Sequence, residues 1–210
     1  MSKAVMISIH SKWCDLIASG RKIIEIRKTA PKIDTPFKCY IYHTVTRNAG
    51  VGFNHWCDCW QLPNGDFVNA GGKVVGEFIV DRIDEQIVFH KEITRIMMPD
   101  YKEKLIALCE AAMLSNDELH AYIDKDGEDI AIIYGLHISN LVIYNKPKEL
   151  GEFISHCSKW KTYPNDLETC RICCKHNKAK TDTSGWLIYR CDRRLTHPPQ
   201  SWCYVEEVIT

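Results

Sequence analysis

Gly20-Arg21-Lys22-Ile23-Ile24-Glu25-Ile26-Arg27-Lys28 opens on a glycine and then alternates. A strand turns successive side chains to opposite faces, so Ile24 and Ile26 share one face and Glu25 and Arg27 the other. Lys22 precedes the regular alternation, at the strand entrance. A carboxylate flanked by cations along a strand is either a surface ion pair or the floor of a polar cleft. Working outward, Ala4 to Ile9 reads as a buried strand. Ser11 can cap a short helix over Lys12 to Ser19, with Trp13 and Ile17 one turn apart on its buried side. Gly20 ends that helix as a left-handed cap. Thr29-Ala30-Pro31 stops the opening strand, because proline has no N–H to give a ladder.

Further on, Phe37 to His43 alternates and reads as a strand. Residues 44–72 read as a long loop or irregular hairpin, in which Trp56 and Trp60 are candidates for ligand contact, with core packing as the alternative for each. Lys73 to Asp81 is a strand, and Gly76 within it signals a bulge or a close backbone approach. Residues 84–130 read as mainly helical: Tyr101, Leu105, Leu108 and Ala112 follow helical spacing, and Ser115-Asn116-Asp117-Glu118 is a capping-box pattern opening a helix from Asn116 to Ile123. Ile130 to Tyr134 is apolar and ambiguous. Gly135 to Tyr144 and Trp202 to Glu207 read as strands. Short strands with helices between them predict an α+β chain built on a small mixed β-barrel with helices on its rim. The expected organisation is a barrel over 1–150 with an acidic helical insertion at 84–130, a cysteine-rich basic insertion at 151–197, and a final barrel strand within 198–210.

The 210 residues carry 27 Lys/Arg and 27 Asp/Glu, for a formal net charge of zero, but unevenly. Residues 1–48 hold nine basic against three acidic residues, 84–130 hold five against twelve, and 151–200 hold nine against five. If the two basic ends meet they form a face for a polyanion; otherwise the charges scatter over the surface. No apolar run approaches the roughly 20 residues a membrane helix needs. The opening residues lack signal-peptide architecture, so the expected location is cytoplasmic and no membrane partner is expected. There is no phosphate loop, no Gly-x-Ser-x-Gly and no dinucleotide fingerprint.

Eleven cysteines are many for such a chain. Cys157, Cys170, Cys173 and Cys191 can supply four thiolates, with a Cys-x-x-Cys knuckle at 170–173. A structural zinc there would staple a segment too polar to build its own core; the alternative is a set of buried free thiols. Cys57 and Cys59 are too close together for a knuckle.

Three stretches together resemble the ASCH domain of the PUA-like superfamily, and look closest to the prophage-type proteins of bacteria. They are Ser8 to Trp13 running into Ile17 to Lys28; Lys73 to Phe78; and Tyr134 to Ser139 with Pro198 to Glu207. The resemblance implies a pseudo-barrel with a ligand cleft beside the first helix and the strand after it. It places His10, Lys12, Trp13, Lys22, Glu25, Arg27, Lys28, Ser201 and Trp202 at that cleft. It implies binding of RNA, another nucleic acid, a nucleotide, or a modified or unpaired base. Some relatives are amidohydrolases on acylated cytidine, or ribonucleases; here Lys22 and Glu25 would be the acid/base pair and Arg27 the substrate clamp. In the amidohydrolase type a threonine stands where this chain has Glu25, so the hydroxyl nucleophile is missing. Glu77 is the candidate counterpart of that type's second-strand glutamate. A third reading is a phage–host interaction protein that contacts its partner through the acidic helices.

Overall fold

A computed structural model describes residues 2–45, 59–61, 65–89, 101–123, 130–157, 177–181, 187–191 and 193–208. In chain order the elements are β1 (Lys3–Ile9), α1 (Ser11–Ala18), β2 (Ile24–Arg27), β3 (Phe37–His43), β4 (Cys59–Gln61), β5 (Phe67–Asn69), β6 (Lys73–Phe89), α2 (Tyr101–Ala111), α3 (Asn116–Ile123), β7 (Ile130–Glu149), a 3-10 turn (Leu150–Glu152), β8 (Asn177–Thr181), β9 (Leu187–Cys191) and β10 (Trp202–Glu206). Six strands form one mixed sheet in the order β10-β1-β3-β6-β7-β2; β4-β5 and β8-β9 are separate two-stranded ribbons. Only β1 and β3 run parallel in the large sheet. The crossover between them carries α1 and β2.

Local sequence chemistry sets the first corner. α1 begins at Ser11 itself, with His10 as its N-cap and no side-chain cap bond. Ser11 is therefore the first helical residue rather than the cap. At the other end Gly20 has φ +70°. Gly20 N–H donates to the Ile17 carbonyl and Arg21 N–H to the Leu16 carbonyl. This is the paired bonding of a Schellman cap, and it needs a residue free to turn left-handed. Lys22 N–H also donates to Leu16, so the helix end fixes where β2 starts.

β6 and β7 are long, with 17 and 20 residues, and they pair from Lys73–Glu149 out to Phe89–Ile130 through three register shifts. Residues 84–89, read from sequence as the start of a helical segment, are strand. The ambiguous stretch from Ile130 to Tyr134 is its partner. Gly76 sits at one of the shifts, where an added Cβ would lie 2.5 Å from the Val142 carbonyl oxygen. That is the close backbone approach its position in the strand signalled.

Among the described residues, three apolar clusters make up the interior. One lies beneath α1 and includes Val5, Ile7, Cys14, Ile17, Cys39 and Phe78. A second joins β2 to the helices through Ile24, Ile26, Leu105, Leu108, Leu119 and Ile133. A third packs Met6, Tyr40, Val74, Phe153 and Val205 on the sheet's other side. Burying side chains of this size contributes roughly 2 kcal/mol each.

The α+β class and the mixed sheet agree with the sequence reading, but the sheet is open. Among the described residues, β10 and β2 are its edges and exchange no backbone ladder. Pro31 and the Pro198-Pro199 pair flank the seam, and proline cannot donate to a ladder. Side chains span the gap instead. Trp202 Nε1–H donates to the Thr29 carbonyl and lies 3.1 Å from Thr29 Oγ1, and Arg27 Nη1 lies 3.4 Å from Ser201 Oγ.

Candidate ligand cleft

β2 is buried on both faces. Ile24 and Ile26 face the helices. Glu25 and Arg27 face a cavity of about 850 Å³. The remaining walls come from the β1–α1 corner (Ser8 to His10, and Trp13), from the end of β3 and the residues after it (Tyr42, Thr44 and Val45), from α3 with Leu114 before it, and from Pro198 to Ser201.

The floor is a buried ion triad. Glu25 Oε1 lies 3.0 Å from Arg27 Nη2, and Glu25 Oε2 lies 3.3 Å from Lys22 Nζ. Lys22 is 2% exposed, Glu25 6% and Arg27 8%, which removes the surface ion-pair reading of this strand. Lys22 Nζ donates to the Ala112 carbonyl at 2.8 Å, and Arg27 Nη2 donates to the Ser8 carbonyl at 2.6 Å. Among the described residues, Arg27 Nε is buried with no hydrogen-bond partner. Burial lowers the Lys22 pKa against the opposing pull of Glu25, as expected for an ammonium taken out of water.

The other expected residues divide between wall and rim. His10 Nδ1 lies 3.0 Å from Thr44 Oγ1. Trp13 lines the cavity, with Lys12 Nζ 4.3 Å and Lys22 Nζ 5.2 Å from its ring centroid. Its π system is therefore engaged by two cations. Lys12 pairs with Glu118 of α3. Its bond to Lys12, with the Ser115 N–H behind it, holds the Glu118 carboxyl below the usual range. Lys28 reaches the Ile123 carbonyl at 3.5 Å and stands 5.7 Å from the Tyr122 ring centroid. Ser201 lines the cavity, while Trp202 holds the seam beside it.

Glu77 lies elsewhere. It pairs across the ladder with Tyr40, whose side chain belongs to the third cluster, and it binds Lys38 at 3.0 Å and accepts from Tyr144. It is not among the cavity's lining residues.

The wall that sequence reasoning missed is α3, which presents Glu118, Ala121 and Tyr122. The helix itself was readable. Ser115 and Glu118 make the reciprocal bonds of a capping box. Its place against β2 depends on packing that no local pattern reports.

Of the proposed metal ligands, Cys157 is half-buried and forms no disulfide among the described residues. Cys170 and Cys173 lie outside the described residues, and Cys191 ends β9. Among the described residues no group of three or more His, Cys, Asp or Glu is arranged to hold a metal ion. Trp56 and Cys57 also lie outside them. No described helix is long and apolar enough to cross a membrane.

No family model matches the chain, and no curated protein matches it. Among solved structures, the crystal structure of ASCH from Zymomonas mobilis is similar over 97% of this chain and 88% of that one, at 14% identity and a TM-score of 0.47. A Ser-to-Ala variant of the same Zymomonas mobilis protein is similar over 97% and 89%, at 14% identity and a TM-score of 0.48.

Proposed function

We propose that the cavity between α1, β2, α3 and the 198–201 segment binds a nucleic acid or nucleotide, and that unpaired RNA or an unpaired or modified base is the ligand it suits. One observation carries the reading. Two cations and one carboxylate, Lys22, Arg27 and Glu25, lie buried at the cavity floor. With Lys22 protonated, the floor holds one positive charge in excess, which a ligand phosphate would offset. The uneven charge along the chain supports this reading less than the raw counts imply. Lys12, Lys22 and Lys28 point at the helical segment, so part of the basic surplus meets the acidic insertion within the molecule.

Titration with single-stranded RNA, single-stranded DNA and duplex DNA at two salt concentrations tests the proposal. Binding that weakens steeply with salt is the expected result. Absence of salt-sensitive binding to all three sinks it. Arg27→Lys keeps the charge and loses the fork, and should weaken RNA binding about tenfold.

A second reading is hydrolysis of an acylated nucleoside or RNA. It is favoured by Lys22 standing 3.3 Å from Glu25 with a lowered pKa. Against it, Lys22 already donates to Ala112. Incubation with acylated cytidine and with labelled RNA separates the readings, because binding without turnover rejects catalysis on those substrates. A structural zinc on Cys157, Cys170, Cys173 and Cys191 belongs to the same proposal. Elemental analysis of protein purified without chelator checks it, and metal-free protein counts against it.

A further inference from the structure

Three lysines of the α1–β2 corner reach across to the helical insertion, and their partners differ in kind. Lys22 and Lys28 donate to backbone carbonyls where α2 and α3 end, at Ala112 and Ile123. Cations are favoured at helix C-termini, so these two bonds anchor the helices. Lys12 instead pairs with a side-chain carboxylate, Glu118. The pair is exposed, at 60% for Lys12 and 39% for Glu118. Exposed pairs contribute at most about 1 kcal/mol, so this contact is easily exchanged. Its position matters. Glu118 lines the cavity, and the Lys12 ammonium stands over the ring of Trp13, which lines it too.

We propose that Lys12 is an anion-binding residue at the cavity mouth and that Glu118 is its resident competitor, so that a ligand phosphate takes the place of the Glu118 carboxylate. The inference rests on the reading of the cavity as a site for phosphate-bearing ligands. Exchange leaves α3 in place. Glu118 still accepts from the Ser115 N–H in the capping box, and Lys22 and Lys28 still hold the helix ends. Lys12 itself stands outside the lining, beside Glu118 and Trp13, which belong to it, so a phosphate that displaces the Glu118 carboxylate at the cavity edge would meet the ammonium there, and its greater charge favours it over a single carboxylate. Glu118 thereby excludes weakly charged ligands, because only a stronger anion displaces it.

The test is a double-mutant cycle read by binding of a fluorescently labelled mixed-sequence single-stranded RNA. Glu118→Gln keeps an oxygen for the capping box and removes the competing charge. It should tighten binding about two- to fivefold. Lys12→Gln breaks the same pair and should weaken binding by a similar factor. In the Lys12→Gln background, Glu118→Gln should change nothing. A Glu118→Gln gain that persists without Lys12, or both single variants moving the same way, overturns the exchange and leaves the RNA reading standing. Inorganic pyrophosphate, followed by calorimetry, is the second probe. The same pattern with pyrophosphate but no RNA binding keeps the exchange and removes RNA as the ligand. No binding of either probe removes both.

Discussion

Lys22 Nζ donates to the carbonyl oxygen of Ala112 at 2.8 Å, a bond that spans 90 residues of chain. The basic opening and the acidic middle of the sequence meet at this point. The same ammonium is held by Glu25, which in turn holds Arg27. The cavity floor and the anchoring of α2 are therefore one network, and a change to Lys22 disturbs both.

Lys22→Met should destabilise the protein by about 3 kcal/mol or more, because it leaves the buried Glu25 carboxylate short of a partner and the Ala112 carbonyl unsatisfied. Adding Glu25→Gln removes the stranded charge. The double variant should then lose less than the sum of the two single losses. Urea melts of the four proteins check this, and strict additivity would contradict the network.

Gly76 and Gly20 fail to accept a side chain for different reasons. At Gly76 a Cβ meets the Val142 carbonyl oxygen at 2.5 Å, so Gly76→Ala must push the β6 and β7 backbones apart and should cost about 2 kcal/mol. At Gly20 there is open space but φ is +70°, so Gly20→Ala should cost about 1 kcal/mol through backbone strain alone. Gly20→Asn, which tolerates that conformation, should recover part of the loss. Thermal melts rank the three variants.

Trp202→Phe keeps most of the ring packing on Tyr204, 5.2 Å away between centroids, and removes the N–H bonded to Thr29. The expected loss is about 1 kcal/mol. Amide hydrogen exchange should rise at 24–29 and 202–204, the two edges that this side chain bridges, and stay unchanged along β3. Uniform acceleration would show that the seam is not a local feature.

Stability should fall above about pH 8.5, where thiols of an unfolded chain ionise. Burial raises the pKa of Cys14 and Cys39 and pushes Cys203 up to about 11. The folded state keeps these protons after the unfolded state has released them. Their contribution is therefore full below the unfolded pKa and is lost as pH rises. Lys22 works the other way, since its folded pKa is lowered, but it opposes these three thiols and Cys109, whose pKa burial also raises. Melting temperatures from pH 7.5 to 10 should fall, with a shallower slope in Cys39→Ala. At pH 8, alkylation of the native protein after treatment with a chelator should reach Cys157 before the buried Cys14 and Cys39.

Features set by neighbours along the chain were readable from the sequence. The glycine cap at Gly20, the capping box at Ser115 and Glu118, the close approach at Gly76 and the strand from Phe37 to His43 each follow from a few adjacent side chains and their φ/ψ preferences. The pairing of Glu25 with Arg27 on one strand face was also legible, because a two-residue period needs no tertiary information. Asp84 to Phe89 was not. Its charged start hides a strand whose ladder partner lies more than forty residues on, and no local pattern carries that pairing.

The sequence by itself determined which residues of the Gly20–Lys28 corner would gather, since a capped helix running into a short alternating strand leaves them few places to go. Tertiary structure alone decided that their charges would be buried, that Lys12, Lys22 and Lys28 would reach for α2 and α3, and that α3 would close the cavity. Those outcomes depend on which distant surfaces exclude water together. Burial is a property of the packed whole, and it is what turns an alternating charged strand into the floor of a cleft.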